Sequence, residues 1–249
     1  MFTKLYQLFE DVSRQGVSFS LSEDPQQGLI VAPKPTLRHD IDFSLFGLLN
    51  LARLETDLGQ QAIYLFRPDC QTYNLFSSDS MSLVKKIQDL GHKIGLHIDR
   101  RAISDVNSFD GFVQAVRDRF QSQVGVSMNY VSWHRPFEED LAGPETINGM
   151  NSLYSHSRWN KSNYISDSAG SWDQGKELKL FAFCASNEYF QLLIHPEWWI
   201  DESPSESFSI SMSEQFCHNI SELKSELRTF DEFDLGNSIL AKVTDSKSL

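Results

Sequence analysis

Leu5, Leu8, Phe9 and Val12 recur at helical spacing in "KLYQLFEDVSRQG", which predicts an amphipathic N-terminal helix ended by Gly16. A turn-rich stretch from "SEDPQQG" to "APKP" then leads into "TLRHDID", a short β-leaning run that halts in charged residues. Ser44 is placed to cap a helix through "LFGLLNLARLETDL", with Gly59 terminating it. The alternation repeats. "QAIYLF" reads as a strand, "SMSLVKKIQDL" as a helix closed by Gly91, and "HKIGLH" as a strand. "SFDGFVQAVRDRFQSQV" is predicted as a helix before the strand "MNYVSWH". Later strands are predicted in "NYISDS", "KLFAF" and "YFQLLIH", followed by a polar, helical tail from about Glu206.

Strands and helices alternating at this spacing imply parallel β/α units. Nearly every predicted strand ends in His, Asp or Arg, which strand periodicity does not require. In β/α barrels the C-terminal strand ends converge on one face, so these side chains would meet around one pocket. With no internal repeat, low-complexity tract or linker, residues 1–249 read as one domain whose motif-bearing core covers about residues 36–200.

Composition adds exclusions. A chain of 249 residues with 40% hydrophobic and 12% aromatic content can fill a core. Its formal charge of -12 argues against nucleic acid or anionic membrane as the main partner. Cys70, Cys184 and Cys217 lie far apart with no C-x-x-C pair, against a disulfide framework or a cysteine zinc site. Glu10 and Asp11 interrupt the N-terminus where a signal peptide needs an apolar core, and no apolar run reaches membrane-spanning length. The expectation is a soluble, cytoplasmic protein.

The chemistry sits at the strand ends. Asp40 and Asp42 in "RHDID" are two apart, so their side chains share one side of a strand. Such a pair allows one carboxylate to hold a divalent cation while the other accepts a proton from water. A turn whose carboxylates cap the next helix is the plain alternative. His97 ends an apolar strand, after Gly95, which leaves room for close approach; alone, such a histidine is more often a satisfied core residue than a ligand. His92 lies at the strand's opposite end and reads as structural. "SWHRPF" supplies His134 and Arg135, the latter able to clamp a carboxylate such as Asp40. "YISDSAGSW" offers Asp167 and Trp172, and "LLIHPEWW" offers His195 followed by Trp198 and Trp199. A histidine backed by a carboxylate can serve as general acid, and tryptophans beside a pocket either stack on sugar rings or fill the core.

Taken in order, "RHDID", "GHKIGLH", "WHRPF", "SDSAGSW" and "LLIHPEWW" resemble the motifs of the polysaccharide deacetylase superfamily, the NodB-homology or carbohydrate esterase family 4 group, over about residues 37–199. The resemblance is nearest to a divergent intracellular branch found with surface-polysaccharide genes. It implies a distorted (β/α)7 barrel and metal-dependent hydrolysis of an N-acyl group, foremost N-acetyl, on an amino sugar. It makes Asp40 the base and Asp42 a metal ligand, and aligns Arg135 and Pro136, Asp167 and Trp172, and Ile194 and His195 with the later motifs.

The departure is in the metal motif, normally H-x-x-x-H. His97 is followed four residues on by Arg101, whose guanidinium cannot ligate a metal. A catalytic zinc site generally needs three protein ligands and an open position. His134 is the preferred replacement, then Asp99 or His39; loss of the metal is the other outcome. The expected cofactor is one divalent ion, Zn2+ first, with Co2+, Mn2+ or Ni2+ as alternatives. The expected division of roles has Asp42, His97 and His134 holding the ion, Asp40 oriented by Arg135, and His195 supported by Asp167. Trp172, Trp198, Trp199 and Arg101 would bind a small carbohydrate, a nucleotide- or lipid-linked precursor of a surface polysaccharide, with Arg100 and Arg101 facing phosphate. Two other readings stay open: a catalytically silent carbohydrate-binding barrel, and a nucleotide-sugar glycosyltransferase using "DID", which leaves His97, Arg135 and His195 without roles.

Overall fold

The computed structural model describes residues 1–20, 34–103, 106–186 and 188–227. The expected turn-rich stretch after Ser20, up to residue 33, and the tail beyond residue 227 lie outside the described residues. The chain runs α1 (Thr3–Arg14), β1 (Thr36–Ile41), α2 (Leu48–Asp57), β2 (Ala62–Phe66), α3 (Ser78–Asp89), β3 (Lys93–Asp99), α4 (Val106–Val124) and β4 (Met128–His134). It continues with β5 (Thr146–Ile147), β6 (Met150–Ser152), β7 (Tyr164–Ser166), α5 (Gln174–Ser186), β8 (Gln191–Ile194) and α6 (Pro204–Leu227).

The four apolar residues that predicted α1 are its buried face. Gly59 closes α2 in a left-handed conformation, with Gln60 N–H donating to Glu55 O and Gly59 N–H to Thr56 O, the paired bonds of a Schellman motif. The start of α2 corrects the sequence reading. Ser44 does not cap the helix, which begins at Leu48 behind a left-handed Gly47; its hydroxyl instead accepts from Phe46 N–H and donates to Ser211 O of α6. "KLFAF" is the second correction. It lies within α5, where Leu180 and Cys184, one helical turn apart, are buried while Leu178 is 62% exposed. A short apolar run carries too few positions to separate period 2 from period 3.6. The β5–β6 hairpin was not foreseen although it carries a signal: Asn148 and Gly149 form its two-residue turn with both φ positive.

The sheet order is β5-β6-β4-β3-β2-β1-β8-β7, every pairing parallel except β5 with β6. The ends of this order meet through side chains. Gln191 Nε2 donates to Leu153 O and Arg158 O, both at 2.9 Å, and the rings of Tyr154 and Tyr164 lie 6.5 Å apart. Among the described residues the result is a barrel-like α/β fold of seven parallel strands whose seam is bridged by side chains rather than ladder bonds.

Alternation in β1 sets two environments, since all six residues are buried. His39 faces the helices, between Glu55 of α2 at 2.6 Å and Ile194 O at 3.2 Å. Arg38, Asp40 and, beyond the strand, Asp42 take the opposite, inner side. Deeper inside, Ile63, Leu65, Tyr130 and Leu153 form a small apolar cluster apart from the main core. Gly95 is required there: a Cβ at this position would stand 2.5 Å from Tyr130 O and 2.8 Å from a Leu65 methyl. Gly95→Ala is therefore expected to cost about 2 kcal/mol or more from overpacking, read as a fall in thermal midpoint of roughly 2–4 °C per kcal/mol. An unchanged midpoint would show that the inner floor is not tightly packed.

Candidate active site

Parallel pairing brings the C-terminal ends of β1, β3, β4 and β8 to the same edge, and the functional side chains follow from register. His97 of β3 stands opposite Ser132 of β4, with His134 two residues farther on the same side. Asp42 Oδ1 lies 3.1 Å from His97 Nε2 and 3.0 Å from His134 Nδ1, and the imidazole centroids are 5.2 Å apart. Asp42 and His97 are buried, and His134 is half-buried.

Neither short contact has hydrogen-bond geometry, so Asp42 Oδ1 is a buried acceptor left without a hydrogen bond between two ring nitrogens. One donor atom from each of Asp42, His97 and His134 falls within 4.8 Å of the others. Ligands 2.0–2.1 Å from a tetrahedral ion stand roughly 3.3 Å apart, so this donor set fits a divalent ion such as zinc. His97 is oriented from behind, its Nδ1 lying 2.6 Å from Ser132 Oγ. Burial alone would raise the Asp42 carboxyl, but the imidazoles of His134 and His97 outweigh it and hold the group well below the usual carboxylate range.

Asp40 sits behind this cluster, 2% exposed, with Oδ2 3.6 Å from His97 Nε2. The guanidinium that touches it is Arg38, whose Nη2 donates to Asp40 Oδ2 at 3.0 Å and to Tyr154 Oη at 2.9 Å. This corrects the expected partner. Arg135 is paired with Asp99, in a left-handed backbone conformation (φ 55°) that turns its side chain outward from His134. Asp99 also accepts from Arg101 N–H and lies 3.9 Å from Arg67, so its oxygens serve arginines, and His39 faces away under α2; neither second-choice ligand joins the cluster. Arg101 itself is exposed, and Arg100 pairs with Asp140 at 2.8 Å.

His195 approaches from β8, with Nε2 3.7 Å from Asp42 Oδ2. Its other nitrogen is 2.6 Å from Asp167 Oδ1, and its backbone N–H donates to the same carboxylate. Burial would lower the His195 imidazole, but Asp167 first, then Asp42 and Glu197, push it up to about 10. Asp167 also accepts from Trp199 Nε1 at 2.6 Å. Trp199 therefore braces Asp167 rather than presenting an open face. Trp198 stacks on Phe208 and Trp172 meets Trp199 edge-on; with Asp167 these tryptophans line a cavity of about 110 Å³. His92 is structural, its Nδ1 accepting from Ala62 N–H while Nε2 meets Ala52 O.

Arg38, Ser132 and Glu197 were missed. The first two shared strand parity with named residues, so alternation alone could have found them; nothing but proximity to His195 marked Glu197. Glu197 is 2% exposed, and neither carboxyl oxygen meets another residue's donor among the described residues. Burial, then the charge of Asp42, raises it to about 8. A folded-state value above the unfolded 4.5 means that folding holds a proton, so stability falls as pH climbs from 4.5 to about 8. In metal-free protein, Glu197→Gln is thus expected to raise the thermal midpoint at pH 8–9, with the gain vanishing near pH 4.5. An equal gain at both ends would mean that packing, not charge, is responsible.

No helix among the described residues is long and apolar enough to cross a membrane. No protein-family model and no curated protein matches the chain. Solved structures do. A family 4 carbohydrate esterase from Bacillus anthracis is 14% identical over 85% of this chain and 86% of its own, with a TM-score of 0.44. IcaB from Ammonifex degensii is 12% identical over 73% of this chain and 88% of its own, with a TM-score of 0.45. The chain is also similar, at 12% identity over 79% of its length and 85% of the other, with a TM-score of 0.44, to the chitin deacetylase of the fungal pathogen Colletotrichum lindemuthianum.

Proposed function

We propose that the protein is a metal-dependent hydrolase that removes an N-acyl group, foremost N-acetyl, from an amino sugar. The observation that carries this reading is the convergence of Asp42, His97 and His134 on one point, with Asp40 on one side and a carboxylate-backed His195 on the other. Amide hydrolysis needs both a base and an acid, and the two flanks supply one each.

A divalent ion held by Asp42, His97 and His134 would polarise the amide carbonyl and acidify the attacking water. Asp40, held in place by the hydrogen bond from Arg38, accepts the proton of that water. His195, held by Asp167 with Nε2 toward the site, donates a proton to the departing amine. Arg38, not Arg135, is the orienting residue for the base. Trp172 and Trp198 are the aromatic surfaces offered to the sugar, while Trp199 acts through Asp167. Arg101 and Arg135 stand on the outer loops, where the phosphate of a nucleotide- or lipid-linked precursor would lie. The acidic charge and the absence of paired cysteines favour a cytoplasmic precursor over a wall polymer.

Metal content and amine release test the reading together. Purified protein is expected to carry one equivalent of ion lost in both Asp42→Ala and His97→Ala, and to release amine from at least one member of a panel of N-acyl amino sugars. Absence of a bound ion together with absence of amine release would leave the carbohydrate-binding barrel in its place.

A further inference from the structure

Helix α6 covers the loops beneath the site. Ser44 Oγ donates to Ser211 O at 3.1 Å, Leu45 N–H to Gln215 Oε1 at 2.8 Å, and Asn219 Nδ2 to Thr72 O at 2.7 Å. Ser44 and Leu45 directly follow the loop of Asp42, so the seating of α6 bears on where that carboxylate stands. Alongside these bonds, α6 presents His218 and Glu222 at i and i+4 on a single face, with Nε2 and Oε2 3.6 Å apart. Asp79, in the first turn of α3, faces them. Ligand atoms of Asp79, His218 and Glu222 all lie within 4.8 Å of one another.

Three observations set this cluster apart from ordinary surface carboxylates. Its donors come from two different helices and include an imidazole, which has no charge attraction for solvent cations when neutral but is a strong ligand for zinc-like ions. No lysine or arginine pairs with Asp79 or Glu222 among the described residues, so the carboxylates are left uncompensated beside each other. The cluster also borders open space. Asp79 and His218 line a cleft of about 430 Å³, and Glu222 lines an adjoining one of about 410 Å³, leaving room for water to complete a coordination shell.

We propose that Asp79, His218 and Glu222 form a second divalent-cation site, of zinc type, that staples α6 to α3 and thereby fixes the cover over the Asp42 loop. It stands apart from the catalytic cluster and uses no residue of it. Three ligands with carboxylate and imidazole donors and remaining positions filled by water match the chemistry of an exchangeable structural site.

Equilibrium dialysis against Zn2+ with metal analysis decides the matter. Wild-type protein is expected to hold two equivalents, His218→Ala one and Asp79→Asn one, with Asp42→Ala also holding one. Equal stoichiometry in wild type, His218→Ala and Asp79→Asn would overturn the second site. Loss in His218→Ala but not in Asp79→Asn would also overturn it, since a lone surface histidine would then be the binder. If the catalytic centre holds no ion but the second site does, wild type holds one equivalent and His218→Ala none, so the two failures are distinct. Asp79 and His218 are both exposed, and equal thermal midpoints of the variants in chelator confirm that they fold. In the Asp42→Ala background, added Zn2+ is expected to raise the midpoint, and the rise disappears when His218→Ala is combined with it; persistence of the rise would refute the staple.

Discussion

Asp40→Asn is expected to lower kcat for amine release by about 10²–10⁴-fold, the range for loss of a general base, while the bound ion stays at wild-type stoichiometry. The separation follows from position. Asp40 is buried behind the cluster and contacts Arg38 at 3.0 Å and His97 at 3.6 Å, whereas the donor that lies between both imidazoles belongs to Asp42. An amide in place of the carboxylate keeps the shape and a contact to Arg38 but cannot accept a proton from water. Asp42→Asn should behave differently, losing ion and activity together. The comparison therefore uses metal analysis beside initial rates. Activity within a few-fold of wild type in Asp40→Asn, or loss of the ion from it, would remove Asp40 from the role of base.

Much of this arrangement is legible in sequence because strand geometry is simple. Two residues apart on a strand means the same side, so "RHDID" announced a pair of inward carboxylates, and the order of strands ending in histidine placed His97, His134 and His195 at one edge. Pairing between residues distant in sequence was not legible. Arg135 looked like the natural partner for Asp40 because it follows a strand that ends at the same edge, yet its left-handed backbone turns it toward Asp99, and the guanidinium on the inner face is Arg38. That residue was hidden by expectation: a fully buried arginine is rare, and its burial is compensated by Asp40 together with tyrosines contributed from β7 and from beyond β6. The same limit explains α5, where "KLFAF" has the composition of a strand, and α6, whose donor pair one turn apart acquires meaning only from Asp79 on another helix.

Arg38→Met is expected to destabilise the protein by about 3–5 kcal/mol, the cost of stranding one member of a buried ion pair. At roughly 2–4 °C per kcal/mol for a chain of this size, the thermal midpoint should fall by about 6–20 °C. Arg38 is fully buried, donates to both Asp40 and Tyr154, and carries its guanidinium carbon 4.6 Å from the Tyr154 ring centroid and 5.7 Å from that of Tyr164. Burial by itself would lower the guanidinium, but Asp40 and the two tyrosines outweigh it and raise it above its ordinary value. Arg38 is the cation in direct contact with Asp40, at 3.0 Å, and the loss should be largest in chelator, where no ion near Asp42 can take over part of that duty. The double variant Arg38→Met/Asp40→Asn removes both charges and should recover most of the stability, because the penalty belongs to the unpaired carboxylate rather than to the missing side chain. Arg135→Met provides the contrast: its side chain is 49% exposed, and loss of its contact with Asp99 should cost no more than about 1 kcal/mol. If Arg135→Met proves the more damaging of the two, or if the double variant is no more stable than Arg38→Met, then Arg38 is not the partner of Asp40 and the base must be oriented by another group.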